Sequence, residues 1–381
     1  MITSSLLDEK SITISDMDKK LYKIKINGYK SIKNCEIDLK DINVLIGSNG
    51  AGKSNFISAF KFLQAIIDQE LGIFASTNGL SSLFYDGLKV TDKIDMEFFF
   101  GYNSYGFSLI PSNDNKLIFD SEFLSYNNVA TFSRTSPYGR GHSESLWRNG
   151  VGNNMDLYAN SVFENISWRV YHFHDTSSNA RVKQSHKVIN NVMFQQDAGN
   201  LAAFLLRLRN NYPKHYQSIT STIRTIAPFF SDFILVPNDD NESIVLKWRE
   251  RGCDDAFGVS QLSDGTLRFI CLATLLLQPV ELMPTTIIID EPELGLHPFA
   301  IYIFSELVKS VSKKKQIIIS TQSVELLNYF EPEDVIVVDN KKDQGSSFKR
   351  LSSEELKGWL DLDYSLGDLW NKNVFGGRTN L

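Results

Sequence analysis

Residues 47–54 read GSNGAGKS and fit the pattern GxxxxGK[ST] of a phosphate-binding loop. The loop follows the apolar run Ile42–Ile46 and precedes apolar residues at helical spacing, so it joins a buried strand to a helix. Glycines in such a loop let backbone N–H groups point at a polyphosphate, while Lys53 reaches the β- and γ-phosphates and Ser54 offers its hydroxyl to Mg²⁺. A mere glycine-rich turn would lack this flanking strand and helix. The pattern therefore predicts an α/β fold that binds ATP and Mg²⁺. The expected ATP contacts here are Gly47, Ser48, Asn49, Gly50, Ala51, Gly52, Lys53, Ser54 and Asn55.

The composition narrows the class of protein. With 381 residues, 42% of them hydrophobic, the chain can form two or three ordinary domains or one large composite domain. A net charge of −6 argues against a surface that binds nucleic acid throughout, and leaves room for a local basic groove. The three cysteines are far apart and form no CxxC pair, so neither a disulfide framework nor a zinc site is expected. No stretch reaches the ~18 apolar residues of a membrane span, so we expect a cytoplasmic protein without a membrane partner.

Four segments follow from pattern and composition. Residues 1–20 are polar and charged, and we expect them to form a flexible leader. The remainder is expected to form one composite domain. Its parts are an N-terminal nucleotide-binding lobe with a β-rich insert (21–185), a helical lobe (186–280) and the C-terminal part of the nucleotide-binding lobe (281–381). Residues 133–154 are rich in Ser, Gly, Arg and Asn and predict a loop, which is either solvated or in contact with a polyanion.

Two apolar runs end in polar residues suited to nucleotide chemistry. Thr286–Asp290 reads as a buried strand that ends in a carboxylate and is followed by Glu291, and the run before Gln322 reads as a second buried strand. Ligands gather at the carboxyl ends of parallel strands, so we expect these side chains to face the phosphate loop. Asp290 is suited to hold Mg²⁺, and Glu291 to orient or deprotonate the attacking water. Gln322 can sense the γ-phosphate.

Two further segments allow more than one interpretation. Residues 262–268, LSDGTLR, open an apolar helix, and the turn is either an anion site built from backbone N–H groups or simply a helix N-cap. His172 and His174 lie in an aromatic cluster that reads as strand core. With only Asp175 beside them and no nearby cysteine, they are weak evidence for a metal site.

In their order, these motifs resemble the ABC-type ATPase heads of the RecF/SMC superfamily, and more narrowly the bacterial "predicted ATPase" branch related to the ATPase part of OLD-family proteins. The resemblance covers residues 21–377. It implies an ABC-type P-loop ATPase head with a mixed central sheet, an antiparallel β subdomain and a helical signature lobe. The matching segments are INGYKSI (26–32), GSNGAGKSN (47–55), DAGNLAA (197–203), LSDGTLR (262–268), IIIDEPELGLHP (287–298), STQSVELL (320–327), and residues 364–370 with Gly376 and Gly377.

The resemblance also implies roles for single residues. In this family two heads pair head-to-tail, and the signature turn of one head caps the γ-phosphate that the other head holds. Ser263, Asp264 and Gly265 would then contact ATP across a homodimer, with residues 293–297 lining the seam. Two departures matter: the usual signature is LSGGQ, and Gln322 replaces the switch histidine. Glutamine cannot carry the proton of an imidazolium, so slow or partner-stimulated hydrolysis is expected.

The resemblance assigns the remaining roles as follows. The expected catalytic residues are Glu291 as base, Gln322 and Lys53, and the expected metal ligands are Ser54 and Asp290. The glutamine that contacts Mg²⁺ before the helical lobe in this family is either Gln195 or Gln196.

The functional expectation is an ATPase that acts as a dimerising switch. Its output would be a partner effector or a DNA transaction in prokaryotic anti-phage defence, with the effector a nuclease, a TOPRIM-like protein or a reverse transcriptase encoded nearby. The alternative is a DNA-binding ATPase of repair or replication-fork maintenance. The residues that would contact DNA in that alternative, or else form solvated helix faces, are Arg207, Arg209, Lys214, Arg224 and Lys313 to Lys315.

Overall fold

The computed structural model describes residues 20–128, 132–147, 167–239, 242–341 and 344–377. Residues 1–19 of the expected leader and residues 148–154 of the expected loop lie outside this range. The described strands are β1 (Leu21–Tyr29), β2 (Ile32–Asp38), β3 (Ile42–Ile46), β4 (Ile94–Phe100), β5 (Asn103–Pro111), β6 (Leu117–Asn128), β7 (Phe132–Gly139), β8 (Trp168–Tyr171), β9 (His186–Lys187), β10 (Phe230–Ile234), β11 (Ser243–Ile244), β12 (Lys247–Glu250), β13 (Ala256–Gly258), β14 (Thr286–Asp290), β15 (Gln316–Thr321), β16 (Val335–Lys341) and β17 (Gly345–Arg350). The described helices are α1 (Lys53–Ile67), α2 (Leu71–Asn78), α3 (Leu80–Leu83), α4 (Leu201–Asn211), α5 (Pro213–Ile226), α6 (Asp264–Leu277), α7 (Pro298–Ser312), α8 (Val324–Leu327), α9 (Ser353–Leu360) and α10 (Leu366–Asn371).

A mixed sheet with the order β17-β16-β3-β15-β14-β8 carries the phosphate loop. Strands β16, β3, β15, β14 and β8 pair in parallel, and β17 pairs antiparallel with β16. Both faces are covered: Val44 packs into one hydrophobic core and Leu45 into the other. This explains why β3, β14 and β15 are nearly continuous apolar runs rather than alternating ones.

A second six-stranded sheet, antiparallel with the order β2-β1-β4-β5-β6-β7, forms the β subdomain. Helix α1 packs into the core between the two sheets, where its Phe56 and Phe60 meet Phe98 of β4 and Ile318 of β15. The opposite face of the mixed sheet packs against the core that contains α4, α5, α6 and α7. The expected fold class, an α/β head with a mixed central sheet, an antiparallel β subdomain and a helical lobe, is therefore confirmed.

The helical lobe also contains strands that the sequence reasoning did not predict. Strands β10, β12 and β13 form a small antiparallel sheet between α5 and α6, and buried Trp248 of β12 stacks on Phe230 of β10. These three strands have three to five residues each, which is too short for a periodic pattern to show.

The prediction of a loop over residues 133–154 was wrong for its first part. β7 pairs antiparallel with β6 from Phe132 to Gly139 and closes one edge of the second sheet. Backbone N–H and C=O groups form that ladder whatever the side chains are, so an edge strand tolerates the Ser and Arg content that favoured a loop.

Candidate functional site

The loop after β3 has the backbone geometry of a phosphate cradle. Gly50 and Gly52 have φ of +79° and +116°, which L side chains rarely adopt, and a Cβ on Gly52 would collide with the Ser346 side chain. Helix α1 begins at Lys53 and has no side-chain cap. Its first N–H groups and the positive end of its dipole are therefore available to an anion.

Lys53 lies inside this loop. It is 5% exposed, and its Nζ donates hydrogen bonds to the carbonyls of Gly47 at 2.6 Å and Ser48 at 3.1 Å. Burial lowers the pKa of Lys53, and the nearby carboxylates of Glu291 and Asp290 act in the opposite direction. Lys53 therefore interacts electrostatically with Asp290 and Glu291, the two acids that the sequence analysis identified.

Distant parts of the chain hold the loop in place. The Ser48 N–H donates to the carbonyl of Gly377 at 3.0 Å, and the Asn340 side chain donates to the carbonyl of Gly50 at 3.2 Å. On the other side, the Asn55 amide donates to Ser31 Oγ at 2.7 Å. The end of the described chain therefore contributes directly to the shape of the nucleotide loop.

Asp290 is the last residue of β14 and sits in a basic setting. Its Oδ2 lies 3.4 Å from His172 Nδ1, and its backbone carbonyl lies 2.8 Å from His174 Nε2. Lys61 Nζ is 2.8 Å from the other nitrogen of His172. Burial raises the pKa of Asp290, but the hydrogen bond and charge of His172 work against it, and the net pKa is below its usual value. An ionised carboxylate suits a divalent cation.

Glu291, directly after β14, is joined to the end of β15. The Gln322 side-chain amide donates to Glu291 Oε1, and the backbone of Glu291 has a φ of +44°, uncommon for a residue with a side chain. Glu293 accepts hydrogen bonds from the Thr321 hydroxyl at 2.6 Å and from the Gln322 N–H at 3.2 Å. The two strand ends therefore form one hydrogen-bonded unit.

The signature turn opens helix α6. Ser263 is its N-cap, with Oγ accepting from the Thr266 N–H at 3.1 Å, and Ser263 and Asp264 are exposed. A Cβ on Gly265 would collide with the carbonyl oxygen of Gly295, so the turn packs on the segment that follows Glu291. The N-cap interpretation is thus correct for Ser263, and the N-cap leaves the exposed turn open to a ligand.

Arg268, one turn into α6, connects this helix to the segments that follow β8 and β14. Its guanidinium donates to the carbonyls of Phe173 at 3.1 Å, His174 at 2.9 Å and Leu294 at 2.9 Å. Sequence reasoning assigned no role to Arg268, although a fork of five donors directly after a signature turn is a signal that could have been used.

The structure brings some of the predicted residues together and leaves others apart. Lys53, Asp290, Glu291 and Gln322 meet because β3, β15 and β14 are neighbours in the sheet. Ser54 is exposed on the first turn of α1, as a metal ligand at this position requires. The signature residues belong to a different element, helix α6.

The glutamine expected to contact Mg²⁺, Gln195 or Gln196, stays a prediction, and each of the two residues has a partner within the chain. Gln195 Oε1 accepts from Arg181 at 3.3 Å, and Gln196 provides its backbone carbonyl to the His172 N–H at 2.9 Å. His172 and His174 contact Asp290 instead. Their position directly after β8, a parallel neighbour of β14, is the signal that the sequence reasoning lacked.

The residues proposed for DNA contact are mostly engaged within the chain. Arg207, Arg209 and Arg224 donate to the carbonyls of Val192, Leu235 and Ser231. Lys214, Lys313 and Lys314 are exposed. The arginines therefore act as structural ties in this lobe, which weakens the case for a basic groove here.

These residues fit Mg²⁺ and ATP by the chemistry of their donor groups. The glycine loop and the uncapped start of α1 suit phosphates, and the Ser54 hydroxyl and Asp290 carboxylate are the oxygen ligands that Mg²⁺ prefers. Among the described residues, no group of three or more His, Cys, Asp or Glu side chains forms a metal site of its own. No helix within the described ranges is long and apolar enough to cross a membrane.

The sheet order, the phosphate loop and the separate signature helix together give the fold of an ABC-type ATPase head. A family model described as "AAA domain, putative AbiEii toxin, Type IV TA system" matches residues 42–328, and the chain belongs to this family. A search of the curated proteins found no significant match.

Solved structures show the same fold. An SMC head bound to the C-terminal winged-helix domain of ScpA has a TM-score of 0.56 at 16% identity, covering 88% of this chain and 99% of that one. An SMC head domain with an extended coiled coil, bound to the C-terminal domain of ScpA derived from Pyrococcus furiosus, has a TM-score of 0.51 at 16% identity, covering 90% and 99%. The expected fold, that of an SMC-type ATPase head, is confirmed.

Proposed function

We propose that this protein binds Mg²⁺ and ATP, pairs head-to-tail with a second copy when ATP is bound, and hydrolyses ATP slowly to separate the pair. The observation that carries the proposal is the division of the site between elements. The phosphate loop, Asp290 and Glu291 lie together at the carboxyl ends of the parallel strands. The signature turn instead begins helix α6, where Ser263 and Asp264 are exposed.

The chain's own groups have distinct roles in this proposal. Lys53 would place its charge among the phosphates, and Ser54 and Asp290 would hold Mg²⁺, which supplies charge neutralisation at the transferred phosphoryl group. Glu291 would orient or accept a proton from the attacking water. Gln322 holds Glu291 through its amide and offers no transferable proton, so slow turnover follows.

A switch needs an output, and we propose a partner effector or a DNA transaction in anti-phage defence. The description of the matched family names a putative toxin of a type IV toxin–antitoxin system, which favours such a context. An effector nuclease, TOPRIM-like protein or reverse transcriptase would be sought by co-purification and mass spectrometry with the ATP-bound dimer as bait. Repair ATPase activity on DNA remains the alternative, and salt-dependent DNA binding by the purified protein would favour it.

The dimer is tested by substitution of Glu291. Glutamine has nearly the same shape as glutamate but cannot act as a base, so E291Q should bind ATP without hydrolysing it. With Mg²⁺ and ATP, E291Q should therefore have twice the monomer mass in size-exclusion chromatography with light scattering. S263R is the matched control, because a bulky cation on the exposed signature turn should block pairing and leave ATP binding intact. A monomeric E291Q that binds ATP fully would contradict the proposed switch.

A further inference from the structure

Three side chains form a line from helix α1 to the end of β14. Lys61 Nζ lies 2.8 Å from His172 Nε2, and His172 Nδ1 lies 3.4 Å from Asp290 Oδ2. Lys61 comes from the helix that follows the phosphate loop, and His172 comes directly after the edge strand β8. The line therefore joins three separate elements at the proposed metal ligand.

The position of His172 follows from strand register. β8 runs parallel to β14 with Tyr171 opposite Ile289, so the next residue on each strand brings His172 beside Asp290. His174, two residues on, contacts the backbone carbonyl of Asp290 at 2.8 Å. The end of β14 is thus held at its side chain by one histidine and at its backbone by the other.

The hydrogen-bond chemistry of this line has one consistent direction. A lysine ammonium has donors and no acceptor, so Nε2 of His172 must accept from Lys61. The neutral ring then carries its proton on Nδ1, the nitrogen that faces Oδ2 of Asp290 at 3.4 Å. Asp290 is left with Oδ1 as the oxygen that no described histidine occupies.

We propose that His172, set in one tautomer by Lys61, is a positioning residue that turns Asp290 Oδ1 toward the Mg²⁺ of bound ATP. The inference rests on the proposed ATP binding and goes further by naming the groups that orient the metal ligand. Hydrogen bonds to a ligating carboxylate fix its rotamer, and their loss reduces metal affinity by about 10- to 100-fold in other metal sites.

Substitutions of His172 separate positioning from folding. Asparagine places an amide N–H at the same number of bonds from Cα as imidazole Nδ1, so H172N keeps the donor to Asp290, whereas H172A loses it. K61M keeps the aliphatic stem and removes the donor that sets the tautomer. Thermal unfolding of each variant without nucleotide shows whether it remains folded.

The readout is equilibrium binding of a fluorescent ATP analogue, once with Mg²⁺ and once with EDTA, together with binding of Mn²⁺ in the presence of ATP by electron paramagnetic resonance. We expect H172A to weaken metal-dependent binding by about 10-fold or more. Its binding in EDTA should stay unchanged, H172N should restore most of the loss, and K61M should fall in between.

Two results would overturn the inference and are distinguishable from failure of the proposed function. If H172A binds the nucleotide and Mn²⁺ as the wild type does, or loses binding equally with Mg²⁺ and with EDTA, His172 does not position the metal ligand. If the wild type itself binds no nucleotide under either condition, the proposed function fails and the inference fails with it.

Discussion

Glu293 is a buried carboxyl group two residues after the proposed base. Its Oε1 accepts two hydrogen bonds from the end of β15, while Oε2 is buried without a hydrogen-bond partner among the described residues. Burial, with a further contribution from the charge of Glu291, raises the pKa of Glu293. The residue thus ties the Gln322 segment to the end of β14 and resists ionisation.

Stability should depend on pH through Glu293. Its pKa is raised in the native state, so its contribution is complete below the unfolded pKa of about 4.3 and is lost as pH rises through the native pKa. E293Q accepts the same two hydrogen bonds and cannot ionise. The gain of E293Q over wild type in unfolding free energy should therefore grow as pH rises above about 4.3. Urea unfolding at several pH values measures it, and parallel curves for the two proteins would contradict the expectation.

At the scale of elements, helix α6 is coupled to the strand ends by Arg268 and Gly265. Arg268 donates to three backbone carbonyls, and Gly265 allows the close approach of Gly295. A helix held at its first turn in this way cannot rotate without disturbing the segments that hold Asp290 and Glu291. The signature turn is therefore packed directly against the segment that follows the two acids.

Removing the Arg268 clamp should destabilise this unit. R268A leaves three carbonyls without their donor, and hydrogen bonds to charged groups contribute about 1.5–3 kcal/mol each, so a loss of about 2 kcal/mol or more is expected in urea unfolding. R268K should be intermediate, since an ammonium cannot reproduce the fork. R251A, at an exposed position of the same lobe, serves as the control. Equal stability of R268A and R251A would show that the clamp contributes little.

At the scale of the whole molecule, the mixed sheet is covered on both faces and gathers the phosphate loop and the acids at one edge. A head-to-tail pair with two-fold symmetry would contain two composite sites. Each site would use the phosphate loop of one copy and the signature turn of the other. The two halves of a site can therefore be inactivated by substitutions in different copies.

Mixing two inactive variants tests this arrangement. K53M lacks the phosphate-loop cation, and S263A lacks the signature hydroxyl without adding bulk that would block pairing, so each alone should be inactive. A mixed dimer combines the intact loop of one with the intact turn of the other, and an equal mixture should recover about a quarter of the wild-type ATPase rate. Mixing K53M with K53A should recover nothing. A mixture no more active than its components would count against composite sites.

Elements whose cause is local were predictable. The strand, glycine turn and helix around residues 47–54 follow from nearby residues, and the apolar runs of β14 and β15 identify strands that are covered on both faces. The edge strand β7 was not predictable, because its partner strand rather than its own composition determines it. The small sheet of β10, β12 and β13 was not predicted either, because strands this short show no recognisable period of hydrophobic residues.

The sequence by itself determined that this protein has a nucleotide loop, two candidate acids and a signature turn, since each is a run of neighbouring residues with its own chemistry. Only the tertiary structure decided what surrounds them. Lys61, His172 and Asp290 are separated by more than a hundred residues at each step and meet through the packing of α1 and the parallel register of β8 and β14. Contacts of that kind depend on how strands are ordered in a sheet, which no local pattern records.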